Sequence, residues 1–295
     1  MALEDDKWLI ETCEESGSAF ALELGPGGRL HHERSDFQTI EVYDTVWFGR
    51  ALAIDGFLML TERDNFLYHE MLAHPALFSH PGPKRVLIVG GGDCGTLREV
   101  LKHPGVEQAT QVDIDERVTR VSEAYFPALC ACNHDPRCHL AFADGIQWVR
   151  DAADDSLDII LVDSTDPIGP AEGLFSEPFY RECHRALAPG GILAQQSESP
   201  LAHLAGIIAP MHQQMSAAGF GAPSTLHFPQ PIYPTGWWTA TMARADGELQ
   251  FAREADAAAV NTDTGIYTEY YTAELHRAAQ AQPAFMQRAL RRYGC

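Results

Sequence analysis

Carboxylates stand where apolar runs of this chain end. Val86–Val89 leads into Gly90-Gly91-Gly92-Asp93, the run from Ala109 carries Asp113, Leu140–Ala143 is followed by Asp144-Gly145, and Asp158–Val162 is followed by Asp163, with Asp166 three residues on. Gly90, Gly92 and Gly95 fit G-x-G-x-x-G, and Asp113 lies 21 residues after Gly92, which on spacing alone matches a dinucleotide fingerprint. Asp93 argues otherwise. A pyrophosphate sits on the amides of such a turn, and a carboxylate there repels it. A cofactor with ribose, adenine and a positive charge but no phosphate suits that turn, and sulfonium nucleosides are of this kind. Asp113 is placed to accept the hydroxyls of a ribose, and Asp144 to accept from an adenine amino group. The plainer readings are a helix cap for one and a simple turn for the other. Caps need not converge, whereas ligands in an open α/β sheet gather at the carboxyl ends of the strands. The loop from Asp163 to Phe175 holds Asp163 and Asp166, two prolines and two glycines, a composition suited to a lid. With Asp93 these acids form a pocket for ammonium groups, because like charges this close raise their own pKa values unless a cation neutralises them.

Those ends need strands and helices to position them. From Lys84, near-continuous apolar strands alternate with helices, which predicts a mostly parallel sheet covered on both faces. The strands near Ser224–Phe228 and Trp237–Ala243 have no helix between them, so one is expected antiparallel to the rest. Residues 1–62 read instead as short strands. Phe20–Leu24 runs into the turn cluster Gly25-Pro26-Gly27-Gly28, Gln38–Tyr43 and Val46–Ile54 follow, and Asp55-Gly56 marks a hairpin. Residues 63–83 carry a helix, Asn65 to about Phe78, with Leu67, Met71 and Leu72 at helical spacing, and then a linker. The division predicted is an N-terminal antiparallel β-domain (1–62), a connecting helix and linker (63–83), and a Rossmann-like α/β domain (84–295).

The balance of charge narrows the partners. Among 295 residues, 41 acids against 21 bases give a net charge of −20. Nucleic acid is a poor partner, since phosphate affinity needs clustered Lys and Arg; a cationic substrate would be drawn in by such a field, and the plainer reading is that net acidity only aids solubility. No 18-residue apolar run exists to span a membrane. Glu4, Asp5, Asp6 and Glu11 argue against a secretory leader, and seven scattered cysteines suit a reducing cytoplasm. Cys130, Cys132 and Cys138 cluster near His134 and His139, but their spacing matches no common zinc finger, so no metal is expected.

Tyr68-His-Glu, Gly90-Gly-Gly-Asp with Leu97-Arg-Glu, Val112-Asp-Ile-Asp, Asp144-Gly, Asp163-Ser-Thr-Asp-Pro-Ile-Gly-Pro, Gln196 and Tyr233-Pro-Thr-Gly together resemble the polyamine aminopropyltransferases, most closely the bacterial spermidine synthases. The resemblance covers nearly the whole chain; the Asp163 loop is specific to the family, the glycine turn is not. It implies transfer of an aminopropyl group from decarboxylated S-adenosylmethionine to a diamine, putrescine first, giving spermidine and 5'-methylthioadenosine. Asp163 would be the base, with Tyr68 helping to hold the amine. Asp93 and Asp163 would grip the donor's terminal amine, while Gln38, His69, Gly90, Gly92, Asp113, Asp144 and Gly145 bind the rest of it. Asp166, Gln196 and Tyr233 would bind the acceptor. The plainer reading of Tyr68 and Tyr233 is core packing with the hydroxyl satisfied, and of His69 a helix-surface histidine. Two residues depart from the family pattern. Cys94 stands where glycine is usual and is strained if φ there is positive. Asn65 replaces a usual Glu, removing one charge near the pocket, which puts the acceptor preference in doubt. A homodimer is implied by the family and by exposed N-terminal edge strands, which need covering. The rivals are a nicotinamide dehydrogenase, a methyltransferase and a polyamine-binding protein without turnover.

Overall fold

The computed structural model describes residues 7–13, 17–167, 169–263 and 265–295. Glu4, Asp5 and Asp6, which enter the argument against a leader, and Ile168 of the Asp163 loop lie outside them. Five strands open the chain: β1 (Trp8–Cys13), β2 (Ser18–Arg34), β3 (Thr39–Thr45), β4 (Gly49–Ile54) and β5 (Phe57–Thr61). Each pairs antiparallel with the next. Alternation buries Leu22, Ile40, Val42, Leu52 and Leu60. Asp55 and Gly56 take φ of +50° and +89°, so a two-residue turn joins β4 to β5 with the strand twist preserved.

Two expectations here are corrected. Gly25-Pro26-Gly27-Gly28 is no turn between strands but an irregularity inside the long β2, where the pairing with β3 shifts register between Leu24 and Arg29. Asp44 crosses from β3 and accepts from the Gly27 amide at 2.9 Å, and a Cβ on Gly25 would strike that carboxylate. Nor does β4 start at Val46. Thr45 accepts from Phe48 N and donates to Gly49 O, making a turn in which Val46 and Trp47 are exposed and the Arg63 guanidinium stacks 3.7 Å from the Trp47 ring.

Helix α1 (Asn65–Ser79) follows, then the alternation that the apolar runs predict: β6 (Arg85–Gly90), α2 (Gly95–Leu101), β7 (Gln108–Asp113), α3 (Glu116–Tyr125), β8 (Cys138–Phe142), α4 (Gly145–Asp151), β9 (Leu157–Asp163), α5 (Glu177–Ala186), β10 (Leu187–Gln196), α6 (Ala209–Ala217), β11 (Ser224–Pro229) and β12 (Trp237–Arg244). Short helices α7 (Glu254–Ala258), α8 (Ala273–Gln280) and α9 (Ala284–Arg292) end it. The second sheet has the order β11-β12-β10-β9-β6-β7-β8, and β12 is the strand that runs against its neighbours. Ile88, Leu161 and Ala194 face α1 and α2, whereas Leu87, Val89, Ile160 and Leu193 face α5 and α6. This is a Rossmann-like, methyltransferase-type fold behind an antiparallel β-sheet.

Most of α1 is buried, and it packs on β9, β10, β11 and α2 within a core that also takes in Ile40, Leu52 and Leu60 of the first sheet. Its far side is held by Glu70, whose carboxylate accepts from the amides of Glu269, Tyr270 and Tyr271 at 2.7, 2.9 and 2.8 Å. Among the described residues, no helix is long and apolar enough to cross a membrane.

Candidate active site

A cavity of about 260 Å³ opens over the carboxyl ends of β6, β7 and β9, and the first sheet supplies another wall through Leu52, Ile54, Phe57 and Met59, with Gln38 from the loop before β3. Asp55, Asp93, Asp113, Asp144, Asp163 and Asp166 all line it, and among the described residues no lysine or arginine does.

The turn after β6 is built to meet Asp163. Gly90 pairs in register with Asp163, and Gly91 N donates to Asp163 O at 2.8 Å. Gly90 has φ +84°, and a Cβ there would lie 2.1 Å from that same carbonyl. Only glycine satisfies both conditions. Cys94 also sits at positive φ, +69°, with its thiol fully buried. The departure from glycine is therefore a strained one, held by the packing around it.

Asp163 carries two short contacts from hydroxyl donors. Tyr68 Oη donates to Oδ1 at 2.6 Å and Thr96 Oγ1 to Oδ2 at 2.6 Å. Burial, and next the charge of Asp93, push its carboxyl above the ordinary value, against the pull of His69, Thr96 and Tyr68. Burial and the Asp163 charge keep Tyr68 a neutral phenol, a donor. Asp93 is placed differently. It takes the Gly95 amide at 2.6 Å on Oδ1, and His69 Nε2 lies 3.2 Å from the same oxygen. Burial would raise the Asp93 carboxyl, but the His69 charge and these hydrogen bonds outweigh it and hold it low. The charge of Asp93 and its hydrogen bond outweigh the burial of His69 and raise its pKa, which favours the protonated imidazole beside the carboxylate. His69 is 2 % exposed, which removes the helix-surface alternative.

Asp113 Oδ1 accepts from Asp115 N at 2.8 Å, and Gly92 leaves room for Oδ2, which a Cβ would approach to 2.8 Å. Burial first, then the charges of Asp115 and Asp163, push Asp113 up to about 6. Capping of α3 falls to Asp115, which takes Arg117 N on Oδ1 and Ser35 Oγ and Gln38 Nε2 on Oδ2. Asp144 caps α4 through Oδ1, on Ile146 N and Gln147 N, and still lines the cavity. Cap and cavity wall are thus compatible duties. Gly145 lets α4 approach β6, since a Cβ would meet Val89 at 2.5 Å.

A smaller adjoining cavity of about 40 Å³ is lined by Gln196 and Trp238, with Tyr68, Asp166 and Tyr233 shared between the two. Tyr233 donates its hydroxyl to Met59 O at 2.5 Å, so it offers this space its ring, 5.9 Å from that of Tyr68. Gln196 is tied to Glu198 through both ends of its amide. Glu11 of β1 also lines the space, an acid that sequence reasoning used only in the leader argument. Its Oε2 accepts from Leu58 N at 2.7 Å. Burial, with Asp166 adding to it, pushes Glu11 up to about 7. Asn65, expected near the pocket, lines neither cavity. It bonds the Thr61 and Glu62 carbonyls and accepts from Arg98, because the start of α1 faces α2 there.

Residues 65–253 match the family model described as the spermine/spermidine synthase domain, and residues 8–62 match the spermidine synthase tetramerisation domain. The chain belongs to the spermine/spermidine synthase family. It is 58 % identical over 286 residues to the polyamine aminopropyltransferase of Thioalkalivibrio sulfidiphilus, covering 97 % of this chain and 98 % of that one. To that of Methylococcus capsulatus it is 57 % identical over 284 residues, covering 96 % and 97 %. Among solved structures, the spermidine synthase of Thermotoga maritima superposes with a TM-score of 0.88 at 33 % identity, covering 97 % of this chain and 95 % of that one. A spermidine synthase in complex with the transition-state analogue AdoDATO gives 0.89 at 32 %, covering 97 % and 96 %. The protein is therefore a transferase of polyamine biosynthesis, and the group it moves is aminopropyl. At the glycine turn Asp93 takes the first amide of α2, a donor that the pyrophosphate of a dinucleotide would use.

Proposed function

We propose that the donor is decarboxylated S-adenosylmethionine and the acceptor putrescine, the products being spermidine and 5'-methylthioadenosine. The observation that carries this is the cavity lined by six aspartates without a lysine or arginine among the described residues, which suits a sulfonium nucleoside and an amine. In this reading Asp113 takes the ribose hydroxyls, Asp144 the adenine amino group, and Gln38, Gly90, Gly92 and Gly145 shape the nucleoside's bed. Asp93, braced by His69, and Asp163 hold the donor's ammonium. Intact S-adenosylmethionine would set its own carboxylate against Asp93, and two like charges about 4 Å apart cost roughly 4 kcal/mol at an effective dielectric of 20. A methyltransferase is disfavoured for that reason.

The acceptor amine lies across Asp166, Gln196 and the rings of Tyr68 and Tyr233, and Glu11 offers its far ammonium a second carboxylate. Two anionic stations favour a diamine. An alkyl ammonium has a pKa near ~10.4 and must lose its proton before attacking the carbon beside sulfur. Asp163 takes that proton. Burial helps from both sides, lowering the amine's pKa and raising the acid's, and oriented groups supply up to roughly 7–11 kcal/mol more. We infer further that the enzyme acts as a homodimer or a multiple of one through its N-terminal sheet, in a reducing cytoplasm. Incubation with decarboxylated S-adenosylmethionine and a panel of diamines, with products identified by mass, tests the reaction. Spermidine and methylthioadenosine are expected; a panel without transfer, or with a larger yield from intact S-adenosylmethionine, would overturn it.

A further inference from the structure

Thr96 is the second residue of α2, fully buried, and lines neither cavity. At the cap position of a helix a threonine ordinarily spends its hydroxyl on a backbone amide, but Thr96 stands two residues past the cap of α2. Cys94 stands at the cap position without a side-chain cap, and Asp93 takes the Gly95 amide. The Thr96 hydroxyl goes instead to Asp163 Oδ2 at 2.6 Å, across from Tyr68 on Oδ1. A carboxylate has about four lone-pair sites, so these two donors leave about two for an incoming amine. The torsion that turns a carboxylate about its Cβ–Cγ bond is intrinsically broad. Donors from two different helices, α1 and α2, restrict it.

We infer that Thr96 is a positioning residue for aminopropyl transfer, fixing through its hydroxyl the plane in which Asp163 receives the amine's proton. This rests on Asp163 being the base. Thr96 touches neither substrate in that scheme, so it acts only through Asp163. Its hydrogen bond also favours the ionised carboxyl, one of the influences that oppose burial there.

The test compares Thr96→Val, which keeps the shape and loses the donor, with Thr96→Ser, which keeps the donor and loses a methyl. Thr96→Val is expected to lower kcat about tenfold or more, the range for a hydrogen bond to a charged group. Acceptor KM should change little, and the acid limb of the kcat–pH profile should move to higher pH. Thr96→Ser should restore most of the loss. A residue that only packs would give the reverse order, Val near wild type and Ser the poorer, with no change of pH profile, and that result would overturn the inference. Should Thr96→Val melt far below wild type, Thr96→Ala takes its place with the same expected order against Ser. Wild-type turnover, measured first, separates the two readings. Its absence defeats the proposed reaction and this inference with it, whereas turnover shared equally by wild type and Thr96→Val defeats this inference alone.

Discussion

Glu11 and Asp163 are both buried carboxyls pushed upward, and they are assigned different duties. Glu11 has a raised value of about 7, so it is neutral below that pH and anionic above it. If its anion holds the acceptor's far ammonium, acceptor KM falls as pH rises through neutrality and levels off beyond. Steady-state kinetics across that range should show the trend, and Glu11→Gln should abolish it. At alkaline pH the variant should raise KM by about tenfold, as for the loss of a charge-assisted hydrogen bond, with kcat little changed. A wild-type KM that is flat through neutrality would speak against this duty. The aspartates were legible in the sequence because each follows a buried strand, and the sheet brings strand ends together. Glu11 was not, since the amide it accepts from, Leu58 N, is 47 residues away, and the cavity it lines is completed by Asp166, Gln196 and Tyr233 far along the chain. Thr96 was not legible either, since the carboxylate it serves lies 67 residues further along the chain. Asn65 was read as near the pocket, but one turn of helix directs it to Arg98.

The turn between β6 and α2 decides where Asp93 and Asp163 meet, and its glycines are not equivalent. At Gly90 a Cβ would lie 2.1 Å from Asp163 O, and φ is +84°. Gly90→Ala should therefore cost at least about 1–2 kcal/mol for the left-handed backbone alone. At roughly 2–4 °C per kcal/mol for a large domain, the melting temperature should drop by several degrees. Methylthioadenosine binding should weaken in parallel, because the Asp163 carbonyl has to move. Gly206→Ala, with open space around the glycine, is the control and should be nearly silent. Equal melting of both variants would contradict the account of the turn. At this scale the parallel strands were legible from their continuous apolar runs. The N-terminal strands were less so: Asp44 reaching across to Gly27 converts an apparent turn into an irregularity within β2, and an arginine stacked on Trp47 lets apolar residues sit in a turn. Both depend on a partner strand or residue that local sequence does not reveal.

The whole molecule carries −20, and its cavity gathers six aspartates from both halves of the fold. Such a field concentrates a diammonium ion near the mouth and is screened as the Debye length falls from about 10 Å at 0.1 M salt to about 3 Å at 1 M. The kcat/KM for the diamine should decline severalfold as salt is raised across that range, while binding of uncharged methylthioadenosine holds steady. A matching decline for the nucleoside would point to general destabilisation instead. The convergence itself was legible; what the sequence withheld was that the first sheet closes the cavity and places Glu11 in it. Asp163 is where that convergence becomes chemistry, and the most direct measurement is the turnover of Asp163→Asn beside its affinity for methylthioadenosine. The account predicts a loss of at least about 10²-fold in kcat, the lower range for a positioned base, with nucleoside affinity nearly intact; turnover retained at the wild-type level would contradict it.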